Sequence, residues 1–355
     1  MEILEMLQTA VSKGASDIFI ISGCPVSYKI HDIIQPMNEE KLMPDTTKHI
    51  ISTIFALAGQ RDFSAFLIKG DDDFSFSIPK LGRFRCNAYL QRNSCAAVLR
   101  ILGFELPKPH ALHIPQAVMD IATKERGLVL ITGPAGSGKT TTLACLIEQI
   151  NQTRNSHIIT IEDPIEFLHP HNKSIVSQRE IENDTKGYLQ ALRAALRQAP
   201  NVILIGEMRD YETISTAVTA AETGQLILST LHTLGASNAI DRIIDVFPEN
   251  QQYQIRVQLS MVLQAIVSQQ LIPSLDGTLV PAFEILLINN AIRNMIREAK
   301  THQIDNAISA NAAIGMLSMD NDLLRLHREG IISKDSALTY CSNVELMSKK
   351  LSTLN

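Results

Sequence analysis

Gly133-Pro134-Ala135-Gly136-Ser137-Gly138-Lys139-Thr140 follows directly on the apolar run Leu128-Val129-Leu130-Ile131. The stretch fits the pattern G-x-x-x-x-G-K-[ST] and reads as a strand, a glycine-rich turn and a helix start. Glycines let successive backbone N–H groups converge on phosphate oxygens. The first turn of the following helix adds positive potential. In such a loop Lys139 reaches the β- and γ-phosphates and Thr140 ligates Mg²⁺. Residues Gly133 to Thr140, with Thr141 after them, are therefore the expected binding set for ATP and Mg²⁺.

Outward from this loop, apolar runs at 128–132, 158–161, 202–205 and 226–230 alternate with helical patterns at 139–151, 187–198 and 211–222. That alternation predicts a parallel sheet covered by helices. Residues from about 250 onward read as mostly helical, at 249–268, 289–299, 303–314, 320–329 and 334–342. The first hundred residues read differently. A helix over 1–14 carries Ile3, Leu4, Leu7 and Val11 on one face. Strands are expected at 18–21, 28–34, 74–78, 83–90 and 96–102, with a helix at 46–57. This is a mixed α+β pattern with an antiparallel sheet. Leu106-Pro107-Lys108-Pro109-His110 suggests an extended linker between the two patterns. The expected organisation is an α/β chain with a domain over 1–103, a linker over 104–113 and a nucleotide-binding domain over 114–355.

A chain of 355 residues is about two domains long. Trp is absent and aromatics make up 5%, so aliphatic side chains must build the core. A net charge of −5 argues against a general nucleic-acid surface. No apolar run approaches the roughly 18 residues of a membrane span. Met1 to Glu5 lack the basic-then-apolar pattern of a signal peptide. The five cysteines form no C-x-x-C pair, which fits reduced thiols in a cytoplasmic protein.

Three strand ends carry candidate chemistry, because ligands of parallel α/β sheets bind there. Val202 to Ile205 lead into Gly206-Glu207-Met208-Arg209-Asp210. Glu207 can orient an attacking water or hold Mg²⁺, or it can simply complement a helix N-terminus. The strand at 158–161 leads into Glu162, Asp163 and, beyond Pro164, Glu166. These acids suit a site with Mg²⁺, or else form a solvated turn. Leu226 to Ser229 lead into Thr230-Leu231-His232-Thr233, where His232 can sense a γ-phosphate, contact a neighbouring subunit or serve structure. His169 and His171 have H-x-H spacing but no third ligand.

The order of these motifs resembles the secretion ATPase superfamily of type II secretion and type IV pili. The resemblance runs from Gly14-Ala15-Ser16-Asp17 through Gly82 to Ala88, Gln91-Arg92 and Ala96 to Arg100. It continues through the phosphate loop, Gln178-Arg179-Glu180, Leu192 to Arg197 and the strand-end motifs. Ala291 to Lys300 is similar to the segment that marks the PilT family of pilus retraction ATPases. The resemblance implies a PAS-like N-terminal domain, a RecA-like ATPase domain with a helical C-terminal part, and a ring hexamer. It implies an acidic box at Glu162, Asp163 and Glu166, a catalytic base at Glu207 and a "His box" residue at His232. By position it also implies that Arg85 and Arg100 reach a neighbour's nucleotide, as arginine fingers do. The implied partners are copies of the same chain, an inner-membrane pilus platform protein and possibly a paralogous retraction ATPase. The implied location is the cytoplasmic face of the membrane at the pilus base. No nucleic-acid partner is expected.

The sequence departs from the family pattern at Gln225, at Gln198 to Asn201, at Ala299 and in an N-terminal strand without histidine. Extension and secretion relatives carry a four-cysteine zinc insert and a further N-terminal domain. This chain has no C-x-x-C pair and begins at the PAS-like domain, which favours retraction. A non-hydrolysing regulatory ring subunit and a nucleic-acid translocase are the other readings. Intact Lys139, Thr140 and Glu207 oppose the first, and the absence of a basic run opposes the second.

Overall fold

The computed structural model describes residues 3–30, 33–102, 106 and 108–353. The chain divides into two compact units, Met1–Glu105 and Leu106–Asn355.

The first unit contains α1 (Ile3–Ser12), β1 (Asp17–Ile20), β2 (Ser27–Ile30), β3 (Ile33–Pro36), α2 (Pro44–Leu57), α3 (Phe63–Lys69), β4 (Asp71–Ile78), β5 (Gly82–Gln91) and β6 (Ser94–Leu102). The strands form one sheet in the order β3-β2-β1-β6-β5-β4, and every neighbouring pair is antiparallel. Its core buries Ile18, Ile20, Phe55, Phe66, Phe84 and Leu99 completely or nearly so. The single strand expected at 28–34 is two strands, β2 and β3, with His31 and Asp32 outside the described residues. Helix α3 has no hydrophobic period long enough to announce it. Its start is set by Asp62, which accepts from the Ser64 and Ala65 N–H groups, and its end by left-handed Gly70.

The second unit contains α4 (Gln116–Met119), β7 (Gly127–Thr132), α5 (Lys139–Thr153), β8 (His157–Glu162), β9 (Ile175–Glu180), α6 (Tyr188–Ala195), β10 (Val202–Ile205), α7 (Tyr211–Glu222), β11 (Leu226–Leu231), α8 (Ala236–Asp245) and α9 (Glu249–Val262). It continues with β12 (Leu263–Pro273), β13 (Leu279–Leu287), α10 (Asn290–Arg297), α11 (Ile304–Ala310), α12 (Met319–Arg328), α13 (Lys334–Tyr340) and α14 (Val344–Ser352). The sheet order is β13-β12-β7-β11-β10-β8-β9. All neighbours are parallel except the edge pair β12 and β13.

Both faces of this sheet are covered, as a parallel sheet requires. Leu128 and Leu130 of β7 enter a core that includes residues of α6 to α11, whereas Val129 and Ile131 enter one with α4 and α5. The helix expected over 249–268 is shorter than that, spanning Glu249–Val262. The chain then passes without a break into β12, which pairs with β7 beside the glycine loop. The edge hairpin β12–β13 thus replaces part of the expected helical region, and the rest is helical. Of the expected extended linker, Phe104, Glu105 and Pro107 lie outside the described residues, and Pro109–Leu112 forms a short 3₁₀ turn.

Candidate active site

The carboxyl ends of β7, β8, β10 and β11 meet at one cavity of about 510 Å³ in the second unit. The loop after β7 is held open by its glycines. Gly133, Gly136 and Gly138 have φ of 144°, 76° and 85°. A Cβ on Gly133 would stand 2.2 Å from the Gln269 carbonyl oxygen, and one on Gly138 would stand 2.9 Å from Gln269 Nε2. No larger side chain fits that seam. Lys139 Nζ donates to the Gly133 and Pro134 carbonyls at 2.8 Å each. Burial lowers the lysine's pKa, while the charge of Glu207 opposes the shift. Ser137 is 2% exposed, and its buried Oγ has no hydrogen-bond partner among the described residues. A glycine-walled cradle with an unmet buried hydroxyl and a lysine fits a polyphosphate.

The acids at the end of β8 form the second wall. Glu162 is 8% exposed and accepts from Thr160 Oγ1 at 2.6 Å and Gln178 Nε2 at 3.3 Å. Burial pushes its carboxyl up to about 7 against these hydrogen bonds, and the charges of Glu166 and Glu180 add to the rise. Asp163 and Glu166 line the same cavity. A buried carboxylate group of this kind is relieved by a cation. Thr140, Glu162 and Asp163, the residues expected at Mg²⁺, all border the cavity.

The third wall brings Glu207 and His232 together. Ser229 Oγ donates to the Ile205 carbonyl at 2.7 Å, and Thr230 Oγ1 donates to the Gly206 carbonyl at 2.6 Å. These bonds lock the ends of β10 and β11 in register. Glu207 Oε2 then lies 3.5 Å from His232 Nε2 and 2.7 Å from Arg209 Nε. A Cβ on Gly206 would come within 3.0 Å of the Tyr188 hydroxyl. Burial, with the charges of Asp163 and Glu207, keeps that phenol protonated. Asp210, the residue after Arg209, caps α7 by accepting from the Thr213 N–H at 2.8 Å.

Several contributors escaped sequence reading. Gln269 sits in the segment read as helix, yet its Oε1 accepts from Thr142 Oγ1 at 2.7 Å and its backbone backs Gly133. Gln178 lies on β9, and Tyr188 opens α6. His169 and His171 do not act as a pair. His169 Nδ1 lies 3.3 Å from Glu148, while His171 Nδ1 accepts from the Val176 N–H. Gln225 lies just before β11, at the end of that strand away from His232, with its side chain on Thr223. Arg85 and Arg100 belong to the first unit, directly opposite each other on β5 and β6. Arg85 pairs with Asp73 at 2.7 Å and Arg100 with Asp17 at 3.1 Å.

A glycine-loop nucleotide cradle at the strand ends of a parallel sheet defines a P-loop protein of the α/β class. Comparison with known proteins narrows this. The family model described as "Type II/IV secretion system protein" matches residues 2–279, and the chain belongs to that family. The type IV pilus retraction ATPase PilT of Pseudomonas aeruginosa is 42% identical over 337 residues, covering 95% of this chain and 97% of that protein. The twitching motility protein of Neisseria gonorrhoeae is 41% identical, covering 98% and 92%. The crystal structure of the pilus retraction motor PilT with bound ADP superposes with a TM-score of 0.91 at 43% identity, covering 98% of this chain and 99% of that one.

Proposed function

We propose that this chain is an ATP-hydrolysing motor subunit that drives type IV pilus retraction. The observation that carries the reading is the convergence of Lys139, Glu162, Glu207 and His232 on one cavity at four adjoining strand ends. The likeness to PilT along nearly the whole chain supports the direction, retraction rather than extension.

In this reading the glycine loop and Lys139 bind the phosphates of ATP, with Thr140 and Thr141 at the start of α5. Lys139 exchanges its loop carbonyls for phosphate oxygens. Thr140, Glu162 and Asp163 would hold Mg²⁺, which when bound would supply charge neutralisation to the transferring phosphoryl group. Glu207 orients the attacking water and takes its proton. His232 and Arg209 fix the carboxylate of Glu207, and Glu166 completes the acidic wall. Arg85 and Arg100 serve the nucleotide of an adjoining copy, which ties turnover to assembly, and a homohexamer is the assembly proposed. The domains proposed are a PAS-like unit over 1–103 and a RecA-like unit over 114–355, and domain movements between subunits turn the platform protein.

No helix among the described residues is long and apolar enough to cross a membrane. We place the ring on the cytoplasmic side, against the platform protein of the pilus base. A paralogous retraction ATPase is a further proposed partner. Retraction-deficient cells given this chain test the reading. Wild type restores twitching and Lys139→Ala does not. Failure to restore twitching there, with pilus assembly restored in extension-deficient cells, would point instead to the extension class.

A further inference from the structure

The nucleotide cavity has a neighbour in the same unit. A second cavity, of about 310 Å³, shares Glu207, Arg209, Thr230 and His232 with it as a common wall. Its other lining is Met208, Ile214, Leu231 and Val246, with two polar additions, Thr233 and Arg242. Thr233 Oγ1 is buried and has no hydrogen-bond partner among the described residues. Arg242, on α8, makes no hydrogen bond or ion pair among them. The one carboxylate on this cavity, Glu207, is already matched by Arg209 at 2.7 Å. The space is therefore net cationic, with an unused guanidinium and an unused hydroxyl, and it is large enough for a tetrahedral oxyanion.

The geometry of hydrolysis says which oxyanion. The water oxygen bonds to the γ-phosphorus as the bond to the bridging oxygen breaks, and the water's proton passes to Glu207. Attack is in line, so the phosphorus moves away from ADP and toward the base. ADP still fills the cradle on the other side. The product thus lies against the wall that the two cavities share.

We propose that the second cavity receives inorganic phosphate and is its way out while ADP remains bound, with Arg242 and Thr233 as its first partners there. This rests on the hydrolysis reading above. Arg209 counters the charge of Glu207, which otherwise repels a departing dianion.

Single-turnover kinetics on the assembled full-length protein test it. Acid quench reports cleavage of ATP, and a fluorescent phosphate sensor reports release. Arg242→Gln is expected to cleave at the wild-type rate and to release phosphate roughly tenfold more slowly, the loss of one charge-assisted hydrogen bond. Added inorganic phosphate should also inhibit it less. Val246→Phe, which fills the cavity, should delay release in the same way, and Arg242→Lys should restore part of the rate. Wild-type release in both Arg242→Gln and Val246→Phe would overturn the proposal, as would an equal slowing of cleavage and release. Absence of cleavage in the wild type appears in the quench alone and overturns the hydrolysis reading instead.

Discussion

Thr142 and Gln269, 127 positions apart, meet in a buried 2.7 Å hydrogen bond behind the glycine loop. Through it β12, the strand that pairs with β7, braces the helix that carries Lys139 and Thr140. Gln269→Leu leaves the Thr142 hydroxyl without its acceptor, which costs about 1–3 kcal/mol. Thermal unfolding should fall and ADP should bind more weakly. Unchanged affinity in a destabilised variant would confine Gln269 to folding.

The glycines of the loop differ in what they tolerate. Gly133→Ala drives a Cβ to 2.2 Å from the Gln269 carbonyl, whereas nothing lies within 4 Å of a Cβ at Gly136. Gly136→Ala meets only the left-handed backbone penalty, about 1–2 kcal/mol. Gly133→Ala must displace β12 or the loop. Calorimetric titration with ADP should find binding weakened in Gly136→Ala and lost in Gly133→Ala.

Ala299 follows the end of α10 with φ of 58°, a conformation that favours glycine. Ala299→Gly should therefore stabilise the protein by roughly 0.5–1 kcal/mol. Denaturant unfolding measures this, and a loss of stability would show that Ala299 has a packing role.

His169 supplies a pH dependence. Its ring is buried on the cavity wall, and burial lowers its pKa below the usual 6.5, with Glu148 partly opposing. A depressed histidine favours the neutral form in the folded state. As pH falls through 6.5 the unfolded chain takes up the proton first, so stability present above 6.5 is lost below it. Unfolding free energies at pH 7.5 and 5.5 should differ less in His169→Gln than in wild type.

Arg85 and Arg100 have 41% and 65% of their side-chain surface exposed and pair with Asp73 and Asp17 of their own unit. Alanine at either position should preserve ATP binding and lower turnover of the assembled protein by roughly 10³-fold or more, as for other arginine fingers. Full turnover in both variants would remove the proposed contribution in trans.

How far the sequence reveals this architecture depends on where the signals are local. The loop at Gly133 to Thr140 is one continuous motif, and β7 before it is uniformly apolar because both of its faces are buried. Helix α7 is bounded by Asp210 and by the turn at Thr223-Gly224, so its limits can be read directly. In contrast, Val262-Leu263 joins a helix to a strand with no glycine or proline between them. The mixed run Gln264 to Leu271 fits either period, and pairing with β7 decides it. That is why Gln269 stayed hidden. Glu162, Glu207 and His232 were visible as strand-end residues, but their meeting depends on sheet order, with β11 and β10 between β7 and β8.

Mg²⁺-dependent turnover of the purified protein tests most directly whether Glu207 serves ATP hydrolysis. Wild type should hydrolyse ATP. Glu207→Gln should bind ATP as tightly and lose turnover by roughly 10²-fold or more, the usual contribution of a positioned base. Tight ATP binding and a formed ring without wild-type turnover would contradict the motor and leave a regulatory subunit in its place.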